Sequence, residues 1–314
     1  MIGFYAHHHG SGHVHRCRTI MAALGGDSQL LSTDPSADVV LIDDAGASIS
    51  TDLTAHDTLH YAPPGHAGLR GRMAQLAAWI DEHRPRAFYV DVSVEVALLV
   101  RLMGVPVITL AMPGVRDDHA HQLGYRQAAA IIAAWPNWVP LPPHLHAHGA
   151  RVQQVGGISR FSGPGENIDG DVVVLCGRGG TDWSAGHWDA VQAACPERSF
   201  RFLGGDTAVA DPLPYLTGAN VVVAAGGQNS IADIAVADTP ALILPQQRPF
   251  AEQHATADLL ADAHLALTRH TWPEPEEWPA LLSEAQSIDS RWIRWQTAGA
   301  AQRAADVIRK VADQ

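Results

Sequence analysis

The feature that most constrains this chain is an alternation, repeated in two series, of short apolar runs of strand length with segments of helical periodicity. Ile2-Gly3-Phe4-Tyr5-Ala6 opens the first series. A Gly/Ser/His turn at 10–13 follows, then a helix predicted over 14–24 and stopped by Gly25-Gly26. Val39-Val40-Leu41-Ile42 is predicted as a buried strand ending in Asp43-Asp44. Leu69, Met73, Leu76 and Ile80 recur at helical spacing before Pro85. A strand over 87–90 then ends at Asp91, with a helix over 94–103 and a strand over 105–111. A stretch rich in Gly, Ser and Pro at 156–165 interrupts the pattern, as an interdomain linker does. Strands at 171–175, 200–203, 220–224 and 241–244 follow, with helices at 183–194, 228–237 and 251–263. A long helical segment over 289–312, beginning with Trp292 and Trp295, closes the chain. Strands joined by such helices demand right-handed crossovers and parallel sheets covered on both faces. The expected fold class is α/β: a Rossmann-like domain at 1–155, a linker at 156–170, and a second domain at 171–314 whose last helix is free to cross back. Ligands of such sheets bind at the carboxyl ends of the strands.

Composition narrows the function. The 314 residues fit two domains, and 21 Lys and Arg against 33 Asp and Glu give a formal net charge of −12. So acidic a chain is a poor general nucleic-acid binder and lacks a polybasic grip on anionic membranes. Cys17, Cys176 and Cys195 cannot supply a disulfide framework, which suits a reducing, cytoplasmic setting. Met1 leads straight into the first strand without a basic, apolar leader. The longest apolar zone, 87–115, is broken by Asp91, Glu95, Arg101 and two prolines, so it is core rather than a membrane span. Histidine is the odd count, 18 in all with five between His7 and His15. His7, His9 and His13 suggest a metal, yet consecutive residues of a strand point to opposite faces, and no metal is expected.

Three glycine-rich turns carry the chemistry. Gly10-Ser11-Gly12-His13-Val14-His15-Arg16 follows the first strand, where glycines let backbone approach a ligand and the next helix offers free N–H groups. The third glycine of the dinucleotide fingerprint is absent, which disfavours NAD. His13 is placed to take a proton from an incoming nucleophile, or else it merely orders the loop. Gly177-Arg178-Gly179-Gly180-Thr181-Asp182 occupies the equivalent place in the second series and offers backbone donors plus one cation, or is a plain tight turn. Gly226-Gly227-Gln228-Asn229-Ser230 leads into a third helix N-terminus, which Asn229 or Ser230 would cap, with Asp233 one turn on for ribose hydroxyls. Gln246, Gln247, Glu252 and Gln253 follow the next strand, where polar groups suit a sugar.

The Gly-Gly-x-x-Ser-x-x-acidic helix, the Pro-Ala-Leu-Ile-Leu-Pro run at 240–245 and the Gln-containing helix start resemble the carboxyl-terminal donor domain of family 28 glycosyltransferases, the MurG-like N-acetylglucosaminyltransferases. The Gly-x-Gly-His-x-x-Arg turn at 10–16 is similar to theirs and to that of nucleotide-sugar hydrolases of the pseudaminic acid pathway. The resemblance covers both halves, most closely 221–257. It implies a GT-B fold, two Rossmann-like parallel-sheet domains facing across a cleft, with the donor held mainly by the second. Position by position it implies that Gly177, Arg178, Gly179 and Gly180 line the diphosphate or sugar, and Gly12 of the first turn is expected to bind the donor with them. Gly226, Gly227, Gln228, Asn229 and Ser230 would hold the diphosphate, Asp233 the ribose, and Glu252 with Gln253 the donor sugar, while Gln247 is expected to bind the donor from its place after the strand. Asp233 departs from the family's usual Glu, and no basic, apolar docking face for a lipid-linked acceptor is evident.

The expected reaction is an inverting, metal-independent transfer of a sugar, such as an N-acetylhexosamine, from a UDP-linked donor to an acceptor hydroxyl, with no cofactor. His13 would be the base and Asp91 its orienter, or Asp91 would be a helix N-cap before Ser93-Val94-Glu95. No nearby base obviously neutralises Asp91 in the sequence. Arg116, Asp117 and His119 would wall the acceptor side. The alternatives are a nucleotide-sugar hydrolase, with water as acceptor, and a non-catalytic nucleotide-sugar-binding subunit.

Overall fold

The computed structural model describes residues 1–7, 11–44, 50–163, 165–177 and 181–314. They form two compact units, one of residues 1–111, 116–155 and 301–314, the other of residues 112–115 and 156–300.

In chain order the first unit contains β1 (Ile2–Ala6), α1 (Ser11–Leu24), β2 (Ser28–Ser32), β3 (Val39–Val40), α2 (Ala67–His83), β4 (Ala87–Asp91), α3 (Val94–Leu102), β5 (Val107–Ala111), α4 (His119–Gln127), β6 (Ala130–Ala133) and β7 (Val152–Gln154). Among the described residues the sheet has seven strands in the order β3-β2-β1-β4-β5-β6-β7, all pairs parallel. Every residue of β1, β4, β5 and β6 is buried, because helices cover both faces of a parallel sheet. Phe88 and Val90 of β4 pack with α2 and α3 on one face, while Tyr89 meets Phe4 on the other at 5.5 Å between ring centres. The Phe88 ring lies so near Gly3 of β1 that a Cβ there would come within 2.4 Å of it, which reserves that position for glycine.

The second unit contains β8 (Gly170–Leu175), α5 (Ala185–Ala194), β9 (Phe200–Leu203), α6 (Leu213–Thr217), β10 (Ala219–Ala224), α7 (Gln228–Ala237), β11 (Ala241–Ile243), α8 (Glu252–Asp262), β12 (Leu267–Thr268) and α9 (Trp278–Gln286). Its five described strands run in the order β12-β11-β10-β8-β9, again parallel. Valines of β8 and β10 pack with Trp188 of α5 and with Trp278 and Leu282 of α9. The final helix α10 (Ala300–Ala312) belongs, from residue 301, to the first unit. There Arg309 Nη2 donates to the Ala23 and Leu24 carbonyls at 2.9 and 2.6 Å, satisfying the open C-terminus of α1.

Three local expectations are corrected. The 39–42 strand is an edge strand, not a buried one: β3 has two residues, and Val40 and Ile42 are 52% and 46% exposed. The turn expected at 10–13 is already helix from Ser11, so Gly12 and His13 lie in the first turn of α1. The single segment expected over 289–312 is a short 3₁₀ turn, Trp292–Trp295, separated from α10 by left-handed Gln296 (φ 57°) and Gly299 (φ 72°), which an α-helix cannot absorb.

Candidate functional site

In the first sheet the strand order reverses between β1 and β4, since the chain runs outward from β1 through β2 and β3 and then returns to β1's other side. The crevice at such a switch point, at the carboxyl ends of the strands, is where α/β sheets bind ligands. Ala6, the last residue of β1, is in register with Asp91, the last of β4. His13, in the first turn of α1, places Nδ1 2.7 Å from Asp91 Oδ1. The second carboxylate oxygen faces Arg16 Nε at 3.1 Å, an ion pair rather than an aligned hydrogen bond, and accepts from the Tyr89 hydroxyl at 3.3 Å. Asp91 is fully buried, Arg16 is 3% exposed, and His13 retains 17% exposure. Burial pushes the Asp91 carboxyl up, but the Arg16 guanidinium, the His13 ring and the Tyr89 hydroxyl more than offset this and hold it below the usual carboxylate range. An ionised carboxylate only accepts, so the shared proton sits on His13 Nδ1, and in the neutral ring Nε2 is the basic nitrogen.

The N-cap alternative for Asp91 is excluded: the N-cap of α3 is Ser93, whose side chain accepts from Val96 N, and Asp91 is instead hydrogen-bonded to His13. The geometry also corrects one expectation: Asp91 does have a neutralising base, Arg16, one helical turn beyond His13. The signal was present as His-x-x-Arg, because residues three apart share a helix face.

In the second sheet the order reverses between β8 and β10, whose carboxyl ends carry the second and third glycine-rich turns. Gly227 is the N-cap of α7 with no side-chain cap, so neither Asn229 nor Ser230 caps it. Its first N–H groups therefore remain without intrahelical acceptors, the arrangement that favours an anion. Gly226 lies against the first turn of α8, where a Cβ would come within 2.6 Å of the Gln253 carbonyl oxygen. Gln253 Oε1 accepts from Gln246 N at 2.9 Å. Buried Gln246 in turn donates to Thr181 Oγ1 at 3.0 Å and accepts from Asp182 N at 3.2 Å and Arg248 Nη2 at 2.9 Å, tying the turn after β8 to the loop after β11. Gln246 and Arg248 thus organise this edge, while Gln247 is exposed and Glu252 half-buried.

Asp233 lies on α7 and is only 6% exposed. Ser159 Oγ donates to its Oδ1 at 2.6 Å and Arg160 Nε lies 3.5 Å from Oδ2. Burial pushes its carboxyl up to about 6, against the opposing pull of Ser159 and Arg160. A ribose contact at Asp233 therefore has to share the carboxylate with the 159–160 segment. Gly177 is exposed with open space at its Cβ position. Arg178, Gly179 and Gly180 lie outside the described residues, as do His8, His9 and Gly10.

On the proposed acceptor side Asp117 and His119 are exposed, but Arg116 is buried, its Nη1 3.0 Å from His121 Nε2. His121, Asp118 and His60 form the one group among the described residues with three metal-type ligand atoms close together. His121 Nδ1 and His60 Nε2 lie 2.5 and 3.2 Å from the two Asp118 oxygens. An arginine only donates, so His121 Nε2 is an acceptor and its proton sits on Nδ1, the atom a metal would need. Burial pushes His121 down to about 4, consistent with this neutral ring. Asp118 is held at about 2, its burial outweighed by the His121 backbone N–H and ring. The group is a hydrogen-bonded chain on the N-cap of α4 and fits a metal poorly. His7 and His13 stand 6.2 Å apart between ring centres.

The sequence matches no protein-family model and no curated protein sequence. Solved structures do match over nearly the whole chain. The glycosyltransferase of kitacinnamycin is 17% identical with a TM-score of 0.68, covering 99% of this chain and 98% of its own. MurG of Acinetobacter baumannii is 15% identical with a TM-score of 0.64, covering 98% and 99%. A putative UDP-N-acetylglucosamine 2-epimerase from Listeria monocytogenes is 14% identical with a TM-score of 0.63, covering 98% and 96%. At these identities the likeness establishes the fold, that of the GT-B glycosyltransferases.

Proposed function

We propose that this chain is a glycosyltransferase that moves a sugar from a nucleoside-diphosphate donor, UDP-linked in the first instance, to an acceptor hydroxyl with inversion and without a metal. The observation that carries this reading is the His13–Asp91 pair at the switch point of a sheet in a GT-B fold. His13 Nε2 takes the acceptor's proton as its oxygen bonds to the anomeric carbon, while the bond from that carbon to the diphosphate breaks on the opposite face. Asp91 stabilises the imidazolium so formed. Charge developing on the diphosphate is met by the N–H groups and dipole at the start of α7 and by the backbone of the turn after β8, so the scheme calls for no divalent ion. Gln247, Glu252 and Gln253 contact the donor sugar, and Asp117 and His119 face the acceptor. The cytoplasm is the proposed location.

The second reading, a hydrolase, rests on the same dyad acting on water. The test is to incubate the protein with UDP-N-acetylglucosamine and thymidine-diphosphate sugars, alone and with a panel of alcohol acceptors. Release of nucleoside diphosphate only when an acceptor is present supports transfer. Equal release without acceptor, or isomerisation of the sugar at C2, overturns it.

A further inference from the structure

Asp91 spends one oxygen on His13; its other oxygen faces a cation that the transfer scheme leaves without a task. His13 and Arg16 are three residues apart on α1, so both side chains leave the same helix face and converge on one carboxylate. Arg16 and Asp91 are 3% and 0% exposed, so solvent does not screen the pair. We propose that Arg16 is a positioning residue for the transfer: by holding Oδ2 of Asp91 it keeps that carboxylate charged and its Oδ1 aimed at His13 Nδ1. This rests on His13 acting as the base.

A buried carboxylate without a cation takes up a proton more readily or turns toward whatever donor remains. Among the described residues, the other titratable groups acting on Asp91 are Cys17 on α1 and Tyr89 on β4, both held neutral by burial, and His13 itself. The His7 ring stands 6.2 Å from that of His13. Arg16 is therefore the permanent positive charge in the group. Once protonated, Asp91 no longer fixes the proton on His13 Nδ1, and the ring loses the tautomer with its lone pair on Nε2.

The test is the carboxyl titration of Asp91, followed by NMR of [¹³C]aspartate-labelled protein with Asp91→Asn identifying the signal, in wild type, Arg16→Gln and Arg16→Lys. Arg16→Gln is expected to raise the Asp91 midpoint by about one pH unit or more, the scale set by a neighbouring opposite charge. Arg16→Lys, which keeps the cation, is expected to hold the wild-type titration. The acid limb of the kcat profile should move upward with the Arg16→Gln midpoint, with donor KM unchanged. An unshifted Asp91 in Arg16→Gln, or a shift in Arg16→Lys as large as in Arg16→Gln, overturns the proposal. A wild-type protein without turnover would refute the transferase reading, and the carboxyl titration would still decide the role of Arg16.

Discussion

Two buried aspartates, Asp91 and Asp233, are driven in opposite directions by their surroundings. Asp91 has a guanidinium, an imidazole and a hydroxyl on two oxygens and is held below the ordinary carboxylate range. Its stabilisation is complete above the unfolded midpoint and is lost as pH falls through the lowered one. Asp233, raised from an ordinary 3.8 to about 6, contributes the reverse: stability present below pH 3.8 and lost as pH rises through about 6. Asp233→Asn removes that dependence. Its melting temperature relative to wild type is therefore expected to climb between pH 4 and pH 7, by an amount equivalent to about 1–3 kcal/mol. A constant difference across that range would show that the buried charge is not the cause. Asp233 stands out in the sequence as an acidic residue on a donor-type helix, but its hydrogen bond with Ser159 joins positions 74 apart, which no local spacing reveals.

At the scale of elements, legibility followed local chemistry. α7 occupies residues 228–237, the bounds its sequence predicts, because Gly227 starts it and left-handed Asp238 before Pro240 ends it. The tail departs from its expected single helix: its apolar periodicity runs on past residues 296 and 299, and nothing in that periodicity marks the left-handed turn. α4, His119–Gln127, has a weak apolar pattern built on His121, Gly124 and Tyr125, so no helical periodicity marks it in the sequence. The close approach of Gly226 to α8 gives a sharp expectation for the donor edge. Gly226→Ala forces the Gln253 carbonyl away and should weaken UDP binding at least tenfold in calorimetry, with about 1–3 kcal/mol of stability lost. Gln246→Ala leaves Asp182 N without this acceptor and removes one partner each from Arg248 and Thr181. It should cost about 1–3 kcal/mol by denaturant unfolding and loosen the turn after β8, seen as faster amide exchange at Asp182.

At the scale of the whole molecule, the acidity of the chain constrains how the proposed donor's diphosphate would be held. With a net charge of −12 a broad basic surface is not expected, and in the proposed reading the anion would be met locally by glycine turns and a helix N-terminus. Among the described residues no helix is long and apolar enough to cross a membrane. The last helix, though at the far end of the chain, completes the first unit by closing the C-terminus of α1, the helix that carries His13. Arg309→Ala should lower stability by about 1 kcal/mol and reduce turnover more than donor affinity. The central claim, that His13 is the base that activates the acceptor for transfer from a bound nucleotide sugar, is tested most directly by comparing wild type with His13→Gln. Donor affinity would be measured by titration calorimetry and acceptor-dependent diphosphate release in the same preparations. The expected result is equal donor affinity with release reduced at least a hundredfold in His13→Gln. No nucleotide-sugar binding by wild type, or wild-type release by His13→Gln, would contradict it.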